Sequence, residues 1–261
     1  MPAEGDIAAR TEAQWQAVLA GRRRTAPLHG AGTLAELYGP LCAVPAEQAF
    51  AVAHLAQSLD GRIATASGKS HWISGDEDLR HTHRLRALAD AVLVGADTIL
   101  HDDPLLTVRR CTGNNPVRVI IDPSRKLKPQ HHVFTDQSAP TFVIAADDCA
   151  NNAPLGAAEI LRLPRRDGII PPATIRHALA ERGLHWLFIE GGGVTVSHFL
   201  QAGCLDRLQI TVAPVILGAG RASLTLPDID RPGLGLRPQI RRVVLGQDVL
   251  FECIFGDPNG A

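Results

Sequence analysis

Glu190 and the glycines Gly191, Gly192 and Gly193 follow the apolar stretch Trp186 to Ile189 and precede a helix-periodic run, Val194 to Ala202. Glycines between a strand and a helix leave bare amides at the helix's positive end, where a phosphate or pyrophosphate can bind. Two readings stay open. A tight strand-to-helix turn needs glycines without any ligand, and the run lacks the third glycine and the distant strand-ending acid of the dinucleotide fingerprint. Asp102 and Asp103, ahead of Pro104, offer adjacent carboxylates that suit Mg²⁺. An Asp that bonds the backbone in a solvated turn explains them better. Arg86 shares a stretch with Arg80 and Arg84, which alone reads as a solvated helix face. His71, His81, His83 and His101 crowd the same region without a His-Glu-x-x-His pattern, so no metal is expected.

Elements must hold these groups. Phe50 to Ala56 is short, apolar and followed by turn residues, so it reads as a buried strand that delivers Ser58, Asp60 and Gly61 to its carboxyl end. In open α/β sheets that end is where ligands sit. The segment AQSLDGRIATASGKSHWISG, Ala56 to Gly75, crowds small residues and a lone Trp72 and is expected to line a site. Ser74 with Glu77 makes a capping-box pattern, and Leu85, Leu88, Ala89 and Val92 fall at helical spacing, so a helix is predicted over about Asp76 to Ala89. Strands are predicted at Ala91 to Gly95, Val117 to Ile121, Thr141 to Ala145, Trp186 to Glu190, Arg207 to Ala213, Arg241 to Leu245 and Val249 to Ile254. Helices at Pro172 to Arg182 and Val194 to Ala202 alternate with them. The order implies right-handed crossovers, with the last two strands an antiparallel hairpin. The expected fold is α/β: three layers, α/β/α, around a mixed, mostly parallel sheet.

Several stretches carry a resemblance: Ala56 to Gly75, HRLRALADAVLVGADTILHDDPLLTVR (His83 to Arg109), NPVRVIIDP (Asn115 to Pro123), LFIEGGGVTVSHFLQAGCLDRL (Leu187 to Leu208), VAPVILG (Val212 to Gly218) and GQDVLFEC (Gly246 to Cys253). In that order the chain resembles the pyrimidine reductase family of riboflavin biosynthesis, whose fold is like that of dihydrofolate reductase. The resemblance covers roughly residues 50 to 255 and divides the chain into an N-terminal extension, 1–45, and a reductase domain, 46–258. It implies NADPH-dependent reduction of the ribosyl group of 5-amino-6-(5-phosphoribosylamino)uracil to the ribitylamino product.

The same resemblance assigns roles. Ser70, Arg86, Leu106, Arg109 and Glu190 would contact the substrate, with Glu190 also the one candidate for catalytic help. Ala56, Trp72, Thr98, Asp102, Gly192, Gly193, Val194 and Thr195 would contact NADPH. A guanidinium at Arg109 suits a phosphate or planar uracil carbonyls. Two positions depart from the family, which commonly has Lys at His54 and a small hydroxyl residue at Pro123. Ser124 or Arg125 is expected to serve the adenosine end instead. The alternatives are a same-fold reductase of another pterin-like or heterocyclic substrate, and a non-catalytic nucleotide-binding protein.

Composition bounds the rest. With 261 residues, 45% apolar and only 4% aromatic, the chain can build a large aliphatic core without disulfide or metal. A net charge of −1 with scattered Lys and Arg gives no field for a nucleic acid. No run reaches the ~18 apolar residues of a membrane span, and Met1 to Arg10 does not read as a signal peptide. Cys42, Cys111, Cys149, Cys204 and Cys253 are odd in number and unpaired in spacing, which fits reduced thiols and a cytoplasmic location. The zinc deaminase often fused to the family has a His-x-Glu and Pro-Cys-x-x-Cys signature that is absent here, so only the reductase step is expected. Residues 1 to 45 predict a helical stretch around Trp15 to Leu19, then an irregular arm punctuated by Gly30, Gly32, Gly39, Pro40 and Pro45. A homodimer is expected, because the resemblance implies one and the closing hairpin, Arg241 to Ile254, would otherwise leave an apolar edge open.

Overall fold

The computed structural model describes residues 4–22, 33–69 and 73–255. The elements, in order, are α1 (Glu4–Gly21), α2 (Thr33–Cys42), β1 (Phe50–Ser58), β2 (Arg62–Thr65), α3 (Asp76–Leu88), β3 (Ala91–Gly95), α4 (Ala96–Asp102), β4 (Val117–Ile121), α5 (His132–Thr135), β5 (Thr141–Ala146) and β6 (Glu159–Leu163). Then come α6 (Pro172–Ala180), β7 (Trp186–Glu190), α7 (Gly193–Gln201), β8 (Arg207–Ala213), β9 (Gly220–Ala222), β10 (Gln239–Leu245) and β11 (Asp248–Ile254).

Nine strands form one sheet in the order β10-β11-β8-β1-β7-β3-β4-β5-β6, and β2 with β9 makes a separate two-stranded sheet. From β8 to β6 every pair is parallel, while β11 runs antiparallel to both neighbours. Parallel strands covered on both faces need continuous apolar runs. Ala91, Val92, Leu93 and Val94 of β3 supply one and are 0% exposed.

Alternation along β1 sorts its side chains to two cores. Phe50 and Val52 join Trp15, Tyr38 and Leu85 on the α1–α2–α3 side, while Ala51, Ala53 and Leu55 meet Leu179 and Phe199 of α6 and α7 on the other. The three layers follow.

Two local expectations are corrected. Gly75, not Ser74, is the N-cap of α3, and no side chain caps it. Ser74 Oγ donates to Asp78 Oδ2 at 2.6 Å instead, and the acids Asp76, Glu77 and Asp78 suit the helix's positive end. The irregular arm expected at Gly39 and Pro40 is helix α2, with Leu37, Tyr38 and Leu41 buried in the core; Gly30 and Gly32 lie outside the described residues. Pro40 lacks the N–H that would reach the Glu36 carbonyl four residues back. Arg241 Nη1 of β10 donates to that oxygen, and its Nη2 to the Leu37 carbonyl at 3.1 Å, so burial and a borrowed donor hold the helix together.

Candidate active site

A cavity of about 1300 Å³ opens at the carboxyl ends of β1, β7, β3 and β4. The strand-to-helix turns there build its wall. Gly191 and Gly192 both sit at φ +72°, a conformation that favours glycine, and turn the chain from β7 into α7. A Cβ on Gly193 would lie 2.5 Å from the Ser223 carbonyl oxygen, so the loop after β9 packs directly on the start of α7. Thr98 of α4 and Thr195 of α7 line the cavity beside these glycines, and Thr98 Oγ1 would be 3.3 Å from a Cβ on Gly192. Bare amides at a helix start, flanked by hydroxyls, form a cradle for a phosphate or pyrophosphate.

Arg86 and Glu190 meet beside this turn. Arg86 Nε and Nη2 donate to the two oxygens of Glu190 at 2.6 and 2.5 Å, and Nη1 donates to the Thr107 carbonyl at 2.7 Å. The two groups expected to contact a ligand independently are therefore one bidentate pair with little exposed area, 7% and 19%. Arg109 is exposed and holds Thr107 Oγ1 at 2.6 Å, while its backbone N–H donates to His83 Nδ1 at 2.9 Å. Burial first, then the charges of Arg86 and Arg109, push the His83 imidazole down to about 4, so it accepts that N–H as a neutral ring.

His54 forms the cavity floor next to Glu190. The two are register partners on β1 and β7, and the row continues through Gln209 on β8, Glu252 on β11 and Arg241 on β10. Such partners point to one face of the sheet. Side-chain bonds run along the row: Arg241 Nη2 to Glu252 Oε2 at 2.5 Å, and Gln209 Nε2 to Glu252 Oε1 at 3.0 Å. Above it, α3 turns Asp78, Thr82 and Arg86, spaced by four, toward the same cavity.

The structure places the other expected residues as follows. Ala56, Thr98, Asp102, Arg109, Gly192, Gly193, Val194 and Thr195 all line the cavity. Ser70 and Trp72 lie outside the described residues. Leu106 is a core residue, 1% exposed, and its neighbour Leu105 faces the cavity instead. Arg125 does not reach the site: it is 4% exposed, with Nη1 and Nη2 on the carbonyls of Asn151 and Ala153. Its φ of +54° turns it away, and Ser124 and Lys126 on either side line the cavity. Ser58 and Asp60 serve the scaffold. Ser58 Oγ donates to Asp60, which also accepts the N–H groups of Leu217 and Gly218; these bonds hold its carboxyl at about 2 and pin the loop after β8. Asp103 accepts the backbone N–H of His132, 29 residues further on, at 2.9 Å, so it ties its loop to the start of α5. Among the described residues no group of three or more His, Cys, Asp or Glu could hold a metal, and no helix is long and apolar enough to cross a membrane.

Sequence reasoning passed over Thr82, Asp78 and Lys126, though the four-residue spacing of Asp78, Thr82 and Arg86 was visible.

A mostly parallel sheet with helices on both faces and a cavity at the carboxyl ends of its central strands defines an α/β fold with its site where such folds hold ligands. The chain belongs to the family described as the RibD C-terminal domain, whose model matches residues 49–247. It is 37% identical over 217 residues to the 2,5-diamino-6-ribosylamino-4(3H)-pyrimidinone 5′-phosphate reductase of Methanothermobacter thermautotrophicus, a match covering 78% of this chain and 96% of that one. The riboflavin biosynthesis protein RibD of Mycobacterium tuberculosis is 34% identical over 90% of this chain, which spans 65% of that longer protein. Among solved structures, a deaminase/5-amino-6-(5-phosphoribosylamino)uracil reductase from Thermotoga maritima superposes with a TM-score of 0.65 at 29% identity. That match covers 85% of this chain and 60% of the other.

Proposed function

We propose that this chain is a pyrimidine reductase of riboflavin biosynthesis that uses NADPH to reduce the ribosyl group of a 6-(5-phosphoribosylamino)pyrimidine to the ribityl form. The observation that carries the reading is a single cavity holding both an α7 phosphate cradle and the Arg86–Glu190 pair, in a chain that spans 96% of a curated reductase. The cradle fits a dinucleotide, because Gly191 and Gly192, at φ +72°, turn the chain into α7 where Thr98 and Thr195 line the cavity beside the helix's positive end. Ala56, Thr98, Asp102 and Gly192 to Thr195 would hold the cofactor, with Trp72. When bound, the nicotinamide supplies the hydride.

The protein's part is positioning. Ser70 and Arg109 bind the substrate's phosphate or ring, Leu106 contributes through its backbone, and Glu190, aimed by Arg86, holds the sugar hydroxyls. Residues 46–258 form this reductase domain and residues 1–45 an extension, whose helices α1 and α2 pack Trp15, Leu37 and Tyr38 into its core. The working form is a cytoplasmic homodimer.

A second substrate reading has its own support. The Methanothermobacter relative is named for the 2,5-diamino pyrimidinone, whereas the sequence resemblance pointed to the 5-amino uracil. NADPH oxidation, followed at its absorbance band with both phosphates and with dihydrofolate, decides. Turnover with either pyrimidine phosphate is expected, and turnover with neither overturns the proposal.

A further inference from the structure

We propose that His54, fixed by Asp78, donates the proton that must accompany the hydride; this rests on the reductase reading above. Both residues line the cavity, yet they are 4% and 1% exposed. Such burial of two ionisable groups is rare unless they are paired.

The hydrogen bonds define the pair. His54 Nε2 lies 3.0 Å from Asp78 Oδ1 and 3.1 Å from Thr211 Oγ1, whose own hydroxyl donates to Asp78 Oδ1 at 2.6 Å. Ser74 donates to Asp78 Oδ2 at 2.6 Å. The carboxylate therefore has donors on both oxygens, His54 and Thr211 on Oδ1 and Ser74 on Oδ2, and although burial pushes it up, the His54 charge and these bonds hold Asp78 well below the usual carboxylate range. Nε2 faces acceptors only, so it carries a proton. Nδ1 faces Thr82 Oγ1 at 3.5 Å, and that hydroxyl already donates to the Asp78 carbonyl at 3.1 Å, so Nδ1 also faces an acceptor. This geometry fits a ring protonated on both nitrogens. The two protons are not held alike: Asp78 and Thr211 grip the one on Nε2, while 3.5 Å is the outer limit of a hydrogen bond for the one on Nδ1. Thr82 lines the cavity, which puts the loosely held proton on the ligand side. A carboxylate that fixes one imidazole nitrogen and leaves the other to react is a recurring arrangement.

The reading supplies the step that uses it. The ribosyl C1′–O4′ bond breaks as the lone pair of the exocyclic nitrogen forms the C=N bond, and O4′ takes the Nδ1 proton. The hydride then adds to C1′, and solvent returns a proton to His54. One hydride and one proton are consumed. Groups facing the imidazole are Asp78 and His81 of α3, Glu190 of β7 in register, and Gln209 and Thr211 of β8, with Arg86 behind Glu190.

His54→Gln tests the idea, because its amide keeps a donor for Asp78 and loses only the titrating nitrogen. The expected result is a folded protein with unchanged NADPH affinity by fluorescence titration and kcat lower by roughly 10²- to 10⁴-fold. Its kcat–pH profile should lose the alkaline limb of the wild type. Asp78→Asn should move that limb to lower pH, since the imidazolium loses its counter-charge. A Gln variant within about threefold of wild-type kcat, or one that keeps the limb, overturns the proposal alone. If the variants fail to fold, a wild-type kcat that stays flat through the alkaline range overturns it. A wild type that reduces neither pyrimidine phosphate overturns the reading and the proposal together.

Discussion

Tyr38 of the N-terminal extension lies with its hydroxyl 2.6 Å from His81 Nδ1, and both residues are buried. The bond fixes a tautomer. Gln209 spends its N–H on Glu252, so its carbonyl oxygen must accept from His81 Nε2 at 2.8 Å, which leaves Nδ1 bare to accept the tyrosine proton. Removing that hydroxyl strands a buried acceptor at a cost of about 1–3 kcal/mol. Tyr38→Phe is therefore expected to lower the urea midpoint with an unchanged slope; an unchanged midpoint would show that this hydrogen bond adds nothing to the stability of the fold.

Acid should weaken the fold through the same histidine. Burial first, then the neighbouring His54 charge, drives His81 from the ordinary 6.5 to about 3, and His83 sits at about 4. Below pH 6.5 the unfolded chain binds protons that the folded one refuses, so stability is whole above that value and falls as pH drops toward 4 and then 3. Urea midpoints measured across that window should decline with acid, and His81→Gln should flatten the slope.

Arg109→Ala should raise the substrate KM by roughly 10- to 100-fold, the worth of a charge-assisted contact, with little change in the NADPH KM. Asp102→Ala, on the same loop, should do the reverse. Equal shifts in both constants would return this loop to a plain Asp-Pro turn.

Cofactor choice should rest on Lys126. Its Nζ sits 2.6 Å from Asp97 Oδ1 at the cavity, while Arg125 is committed to carbonyls. Lys126→Ala is expected to cut the preference for NADPH over NADH by roughly tenfold, one charged contact to a 2′-phosphate. Steady-state kinetics with both cofactors checks it, and an unchanged ratio assigns the preference elsewhere.

Self-association should use the closing hairpin. Ile240 and Val244 of edge strand β10 are 51% and 70% exposed, on the face of the strand opposite Arg241. Edge strands with exposed apolar residues invite pairing. Val244→Glu should shift the light-scattering mass from dimer to monomer; a wild type that is already monomeric at micromolar concentration rejects the dimer.

Legibility in the sequence followed the strength of local signals. β3 is an unbroken apolar run and β4 is one broken only by Arg118, and their predicted bounds, Ala91 to Gly95 and Val117 to Ile121, are the observed ones. β6 was missed because Glu159 and Arg162 interrupt its pattern at the far edge of the sheet. α2 was hidden by Gly39 and Pro40, whose helix depends on a donor from Arg241, 201 residues beyond Pro40 in sequence. At the site, the glycine turn and Glu190 were legible as types and spacing. The pairing of Arg86 with Glu190 and the swap of Arg125 for Lys126 depend on which way a side chain turns, and no periodicity encodes that.

The position of β7 has a consequence for how the protein is made. Its residues, 186–190, fill the slot between β1 and β3, strands completed about 130 and about ninety residues earlier in the chain. A ribosome that has finished β6 has therefore released β3 to β6 with the β3 edge open, and an apolar β1 whose sheet neighbours, β7 and β8, have not yet been made. Pairings this distant in sequence form late and leave sticky edges in the meantime. The nascent chain is thus at its most vulnerable in mid-synthesis, and the segment that ends that interval is the same one that delivers Glu190 and the glycine turn.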